Sequence, residues 1–413
     1  MYHCSVSQIA AQPVPMLDLS RQFAPLRQEI LEAIAQVCDS QQFILGPRVA
    51  EFEAAAAAAC AVPYAIGCAS GTDALWLAFA AAGIGTDLGA PGLASETWVH
   101  PTRNSEGAAH AVITTPFSFF ASASAILRAG ARPLFADIDP RTFNLSPQSV
   151  AELLLTPAAA NVKAILPVHL YGQCADWDGF TNVSQNHPGI PLIEDAAQAF
   201  GAEWGGKPAG SLGSAAAFSF YPTKNLSAFG DAGLVTTPSA EIAARAQSLR
   251  NHGMTRRYYH DELGANSRLD AIQAAVLSVK LRHLPTWNQQ RRKLAARYDE
   301  LFRSAGLAAS SVADGIVLPF TDPRATPIFH QYVIRAPRRD ALRAHLTARQ
   351  IGSEIYYPIP LHMQPPLKDL GYKPGDFPHA ELAAAEVLAL PIYPELRDDE
   401  QQTVVDSIRA FYS

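Results

Sequence analysis

Residues 215–233 read AAAFSFYPTKNLSAFGDAG: an apolar, alternating segment, a Pro/Thr/Lys/Asn turn, then a glycine-punctuated loop. The first part has the pattern of a strand, and Lys224 stands on the turn that leaves it. Most lysines are solvated surface charges, and a turn is an ordinary place for one. What sets this lysine apart is the series of segments to which its strand belongs. YAIGCAS (64–70) runs into TDALWLAFAAAG, AVITTPF (111–117) into SASAILRAG, and ARPLFADI, VKAILPVHL and IPLIED follow before AAAFSFY. Strands separated by helices rather than hairpin turns imply crossover connections. The expected fold class is therefore α/β, with a mostly parallel central sheet flanked by helices. Ligands of such sheets gather outside the carboxyl ends of the strands. That rule selects the Gly71-Thr72 turn, Phe119, His169, Asp195 and Lys224.

The rest of the chain frames this sheet. Apolar residues recur at helical spacing from Leu26 to Val37, and EFEAAAAAACA (51–61) is an alanine-rich helix. LDAIQAAVLSVKL (269–281) is amphipathic and leads into the Arg/Gln-rich helix WNQQRRKLAARYDELF. HQYVIRA, a helix around DALRAHLTARQ and the Pro-rich YYPIPLHMQPPL then suggest a smaller α+β unit. The expected division is a large domain over 1–285 and a smaller C-terminal α+β domain over 286–413. Residues 86–110 lack periodicity and are rich in turn formers, which reads as an inserted surface excursion rather than a lid.

A chain of 413 residues with net charge -6 and pI near 6.1 offers no general attraction to nucleic acid or anionic lipid. It contains no stretch of about 18 uninterrupted apolar residues, and its first fifteen lack the basic start and apolar run of a secretory signal. Cys4, Cys38, Cys60, Cys68 and Cys174 are odd in number and widely spread, with no metal-ligand spacing. A soluble, cytoplasmic protein with reduced thiols and no metal site is the expectation.

A phosphorylated aldehyde cofactor asks four things of a protein: an amine, a carboxylate for a ring nitrogen, donors for phosphate and a flat apolar cover. Lys224 alone among the scarce lysines combines a preceding strand with a polar strand-end loop. Asp195 ends the apolar run IPLIED, where a carboxylate needs a cationic partner or several donors; capping of the following AAQAF is the bland alternative. Gly71 and Thr72 lie between strand and helix, where free amides and the helix dipole favour an anion. Ser219 adds a hydroxyl, and Phe119 could cover a ring face. Each feature alone is ordinary.

Their joint order is specific. SGTDALWLA, TTPFSFFASASAI, FADIDPRTFNLSP, PVHLYGQCADWD, EDAAQAFGA, SFYPTKNLSAFGDAG, NHGM and GANSRLDAIQAAVL together resemble the DegT/DnrJ/StrS family of nucleotide-sugar aminotransferases. These are fold-type I enzymes that use pyridoxal 5'-phosphate (PLP), and the resemblance covers roughly residues 14–400. It implies that Lys224 is the Schiff-base lysine and Asp195 the partner of the pyridine nitrogen. It places Gln198 on the ring-hydroxyl side, Phe119 on the ring face, and Gly71, Thr72 and Ser219 at the phosphate. Asn266 corresponds to an asparagine that reaches the cofactor phosphate of a neighbouring subunit, which implies a homodimer with a shared active site.

The implied partners are an amino acid donor, expected to be glutamate, and a nucleotide-linked ketosugar. HLYGQ, HQYVIR and YYPIPLH resemble most closely the branch that aminates a dTDP-linked 3-keto-6-deoxyhexose. That branch commonly carries His-Tyr-Pro where this chain reads Tyr356-Tyr357-Pro358. Tyr221, Tyr357, His169 and His362 are the sugar-site candidates. Dehydratase relatives carry histidine at the Schiff-base position, so Lys224 favours transamination over that alternative. A non-catalytic regulator of the same fold is a further alternative.

Overall fold

The computed structural model describes residues 13–85 and 110–413. Cys4 and residues 86–109 of the excursion lie outside them. Seven strands form the centre: β1 (Tyr64–Cys68), β2 (Ala111–Thr114), β3 (Arg132–Phe135), β4 (Val162–Leu166), β5 (Ile193–Asp195), β6 (Ala215–Ser219) and β7 (Gly233–Thr237). One group has the order β1-β7-β6-β5 and the other β3-β2-β4. Parallel bridges Ile165–Leu192 and Val168–Asp195 join β4 to β5, so the spatial order is β3-β2-β4-β5-β6-β7-β1. Only β7 runs against its neighbours, pairing antiparallel with both β1 and β6. The expected parallel sheet is thus present, with one reversed strand.

Central strands of such a sheet are covered on both faces and become apolar throughout. All of β2, β5 and β7 are buried, and Ala215, Ala216, Ala217 and Phe218 of β6 likewise. Helix α1 (Leu19–Ser40) and helix α2 (Pro47–Ala59) both pack on a later helix, Ala271–Leu281. Helix α3 (Gly71–Ala81) buries Ala74, Leu75, Trp76, Leu77, Ala78 and Phe79, because it lies under the sheet against β6 and β7 and has almost no polar face.

A second apolar core gathers around β8 (Tyr332–Arg335) and β9 (Val387–Leu390), which pair antiparallel. Tyr298 and Phe302 from the helix Leu284–Ser304 insert there, with Val404 and Ile408 from Asp398–Tyr412. Val14 belongs to the same core and bridges Ile351 in parallel, so residues 14–19 run along this second unit. Of the described cysteines, Cys60, Cys68 and Cys174 are buried free thiols and Cys38 is exposed.

The junction of α3, β6 and β7 is unusually close. A Cβ on Gly71 would stand 2.5 Å from the Ser219 Cβ, and one on Gly233 would stand 2.2 Å from the Ser70 carbonyl oxygen. Backbone atoms cannot move aside as a flexible side chain can. Gly233→Ala should therefore destabilise the fold by about 1–3 kcal/mol through forced separation of β7 from the start of α3. A denaturant midpoint equal to that of the parent protein would contradict this packing.

Candidate active site

The carboxyl ends of β5 and β6 assemble the central residues. Successive residues of a strand face opposite sides, and β5 uses this to separate two buried carboxylates. Glu194 accepts from the amides of Gly210, Leu212 and Gly213 at 2.7, 2.9 and 2.8 Å, fixing the loop that leads into β6. Asp195 faces the other way and is 3% exposed. Ser122 Oγ donates to its Oδ2 at 2.7 Å and the Ala197 amide to its Oδ1 at 3.2 Å. The Ala197 contact belongs to a turn; no helix follows, so helix capping does not account for this carboxylate. Burial pushes the Asp195 carboxyl up, opposed by Ser122, Ala197 and the positive charge of Lys224.

Lys224 sits on a tight turn in which its amide donates to the Tyr221 carbonyl at 2.8 Å. Burial pushes its amine down to about 8, while Asp195 pulls in the other direction. Asn225, next in sequence, anchors the turn: its Nδ2 donates to Asn288 Oδ1 at 3.0 Å, and its Oδ1 lies 3.0 Å from His330 Nδ1. His330 is held well below its usual range by burial and by the charges of Lys224 and Arg291, so its imidazole is neutral.

Beside the turn is the start of α3. Ser70 caps it by accepting from the Asp73 amide at 3.1 Å. The amides of Gly71 and Thr72 are first-turn donors with no acceptor one turn earlier in the helix. Asp73 would repel an anion there, but its carboxylate is paired with Arg128 and accepts from Ser267 Oγ at 2.8 Å. Ser219 lies against Gly71 from the end of β6. Gly71, Thr72 and Ser219 therefore form one cradle with a net attraction for negative charge.

An aromatic wall stands nearby. Phe119, in the loop between β2 and the helix that begins at Ala121, is 59% exposed, which leaves a face free for a flat ligand. Its ring centroid is 6.3 Å from that of Tyr357. Gln198 is held between elements: its Oε1 accepts from the Tyr171 amide at 2.7 Å and its Nε2 donates to Tyr357 Oη at 3.1 Å. Tyr171 in turn donates to the Tyr356 carbonyl. Tyr221 is exposed beside the lysine turn.

Two sequence expectations need correction. His169 is wholly buried on the Glu194 face, with Nε2 3.0 Å from Glu194 Oε2 and Nδ1 accepting from the Ala175 amide at 3.0 Å. Both ring nitrogens are engaged, so it has no contact to offer a sugar. His362 is 2% exposed, packs on Phe377 and lies 3.1 Å from Glu381 Oε1. It is a core histidine of the second unit. Asn266 is exposed, and its side chain makes no hydrogen bond among the described residues; its neighbour Ser267 reaches the start of α3, donating to Asp73 and accepting from the Ala69 amide at 3.4 Å.

A cavity of about 420 Å³ opens next to the lysine turn, with Met16, Thr223, Arg291, His330, Gln331 and Tyr356 on its walls. Ser122, Asn225, Arg291 and His330 were not predicted as site residues. The HQYVIR segment was a visible signal for His330; nothing in FASAS singles out Ser122.

The residues present fit PLP. At Gly71 a Cβ would strike Ser219, so bare backbone lines the cradle; a desolvated carboxylate seeks a cation, an amine shifted toward neutrality interacts with it, and an exposed aromatic face stands nearby.

Comparison with known proteins agrees. The profile of the DegT/DnrJ/EryC1/StrS aminotransferase family matches residues 25–409. A "pleiotropic regulatory protein" of Geobacillus stearothermophilus is 47% identical over 399 residues, covering 97% of this chain and 98% of that one. The dTDP-3-amino-3,4,6-trideoxy-alpha-D-glucose transaminase of Streptomyces venezuelae is 41% identical over 396 residues, covering 96% and 95%. The solved structure of S. venezuelae DesV in complex with a ketimine intermediate superposes with a TM-score of 0.86 at 40% identity, covering 97% and 98%. With the profile spanning nearly the whole chain and the likeness extending through both cores, the chain belongs to the DegT/DnrJ/EryC1/StrS aminotransferase family.

Proposed function

We propose that the chain is a PLP-dependent aminotransferase that moves an amino group from an amino acid, glutamate by family likeness, to a ketosugar carried on a nucleoside diphosphate. The observation that carries this reading is Lys224: its amine, on a strand-end turn beside the anion cradle, is shifted toward neutrality by burial and interacts with Asp195. When bound, PLP supplies a carbonyl that captures amines and a ring that accepts electrons from the carbon losing its proton.

The chain's own residues do the rest. Gly71, Thr72 and Ser219 would hold the phosphate, and Phe119 would lie on the ring. Asp195 would keep the ring nitrogen protonated; a cation facing it offsets the desolvation that otherwise raises its pKa. Lys224, once its nitrogen is free, serves as the base at the donor's α-carbon and as the acid that returns the proton. Gln198 would set the ring's hydroxyl side while keeping Tyr357 in the sugar cleft. Lysine rather than histidine at 224 favours amine transfer over sugar dehydration.

The finer reading is a dTDP-linked 3-keto-6-deoxyhexose substrate, supported by the 41% identity to the S. venezuelae transaminase. A homodimer whose site includes Asn266 of a second copy accords with that side chain's exposure. The name of the Geobacillus relative raises a regulatory role, which the Lys224–Asp195 arrangement does not require.

Purified protein should be yellow, and borohydride should leave a cofactor-derived mass on the peptide containing Lys224. Lys224→Ala should lower turnover by about 100- to 10,000-fold or more while leaving the oligomer intact. Unlabelled Lys224, or near-parental transamination by the variant, would refute the assignment. The amine pKa also predicts a pH profile. Below about 8 the apo-protein's Lys224 is protonated and above it neutral, so the rate of PLP capture should rise about tenfold per pH unit and level off above that value. Continued rise to the ordinary lysine value of 10.5 would show that the amine is not desolvated.

A further inference from the structure

Arg291 is the one arginine on the wall of the cavity beside Lys224, and it is 3% exposed. A buried guanidinium ordinarily pairs with a carboxylate. Here Nη1 alone is engaged, donating to the carbonyls of Phe329, His330 and Ile392 at 3.1, 3.3 and 2.9 Å. No carboxylate forms an ion pair with Arg291 among the described residues; Glu395 acts on it only through its field. A guanidinium has five N–H donors, so those on Nε and Nη2 remain for a ligand. The same wall holds a second incomplete group. Gln331 is 8% exposed, and its carboxamide oxygen is buried without a hydrogen-bond partner; as an acceptor it suits the ammonium of an amino acid rather than its carboxylate.

A cation without a paired anion, at a cavity that adjoins the reactive amine, answers a requirement of the proposed reaction. The amino donor brings a carboxylate into a site from which water is excluded, and a desolvated carboxylate needs a cation in contact. His330, the other basic residue of that wall, is neutral. Lys224 must stay free for chemistry.

We infer that the cavity wall formed by Arg291 and Thr223 is the carboxylate-binding subsite for the amino acid donor, with Arg291 Nε and Nη2 as its donors. This rests on the aminotransferase reading above. Arg291 is a binding and positioning residue: it turns the donor so that its α-carbon meets Lys224. The three carbonyl contacts fix the guanidinium in advance, which lowers the entropy cost of binding.

The test uses glutarate, a dicarboxylate without an amine, and its neutral isostere glutaramide. Calorimetry on the borohydride-reduced holoenzyme should show glutarate preferred by about tenfold or more, and equal binding would overturn the inference without any variant. In Arg291→Met the glutarate affinity, and the apparent affinity for glutamate in a single-turnover donor half-reaction, should fall by about tenfold or more. Arg291→Lys should recover part of the loss. The sugar half-reaction, followed in reverse with an amino-sugar nucleotide, should change by less than about threefold. If that half-reaction falls while glutarate binding holds, Arg291 serves the diphosphate and the inference is wrong. A parallel fall of both half-reactions with the melting temperature would make Arg291 a structural clamp only, which also overturns it. Failure of the parent protein to accept nitrogen from any amino acid would instead refute the aminotransferase reading.

Discussion

The site depends on keeping an amine and a carboxylate together where water is largely excluded. Burial pushes Lys224 down and Asp195 up, and each opposes the other's shift by its charge. Full solvation would remove both effects: the lysine would be locked as a cation, and the attraction between the two groups would be weak. The sheet creates this condition geometrically. Adjacent parallel strands β5 and β6 end side by side, which brings the end of one next to the turn that follows the other.

The same strand ends settle the rest of the architecture. Alternation along β5 gives Glu194 to the loop at 210–213 and turns Asp195 to the opposite face, toward Ser122 and the field of Lys224. The close meeting of α3 with β6 and β7 brings Gly71 and Thr72 up to Ser219. Arg128 and Ser267 engage the Asp73 carboxylate, so the first turn of α3 keeps its attraction for an anion. Binding and catalysis thus draw on backbone placement as much as on side-chain identity.

Much of this was legible in the sequence, for physical reasons. The strand–helix alternation and the polar residues at strand ends are local signals, and they single out Lys224, Asp195, Gly71 and Thr72 as candidates. The reversed direction of β7 was not legible, because GLVTT has the same pattern whichever way it pairs. His169 looked like a site residue because it follows a strand, but position at a strand end does not specify a face; its contact with Glu194 does. Arg291 and Ser122 were opaque for another reason. Each acquires its meaning from partners far along the chain, such as Ser122 with Asp195 and Arg291 with Ile392, and no local pattern encodes such a meeting.

The cavity next to Lys224 takes one wall from residues 16–19 and another from 330–392. Its walls therefore belong to segments separated by more than three hundred positions, and Val14 bridges Ile351 along the same seam. Such long-range closure comes late in assembly. On the ribosome, the sheet and its lysine turn can emerge before the cleft that shields them exists, so a nascent chain displays its reactive amine unscreened until the last fifth of the polypeptide has been made.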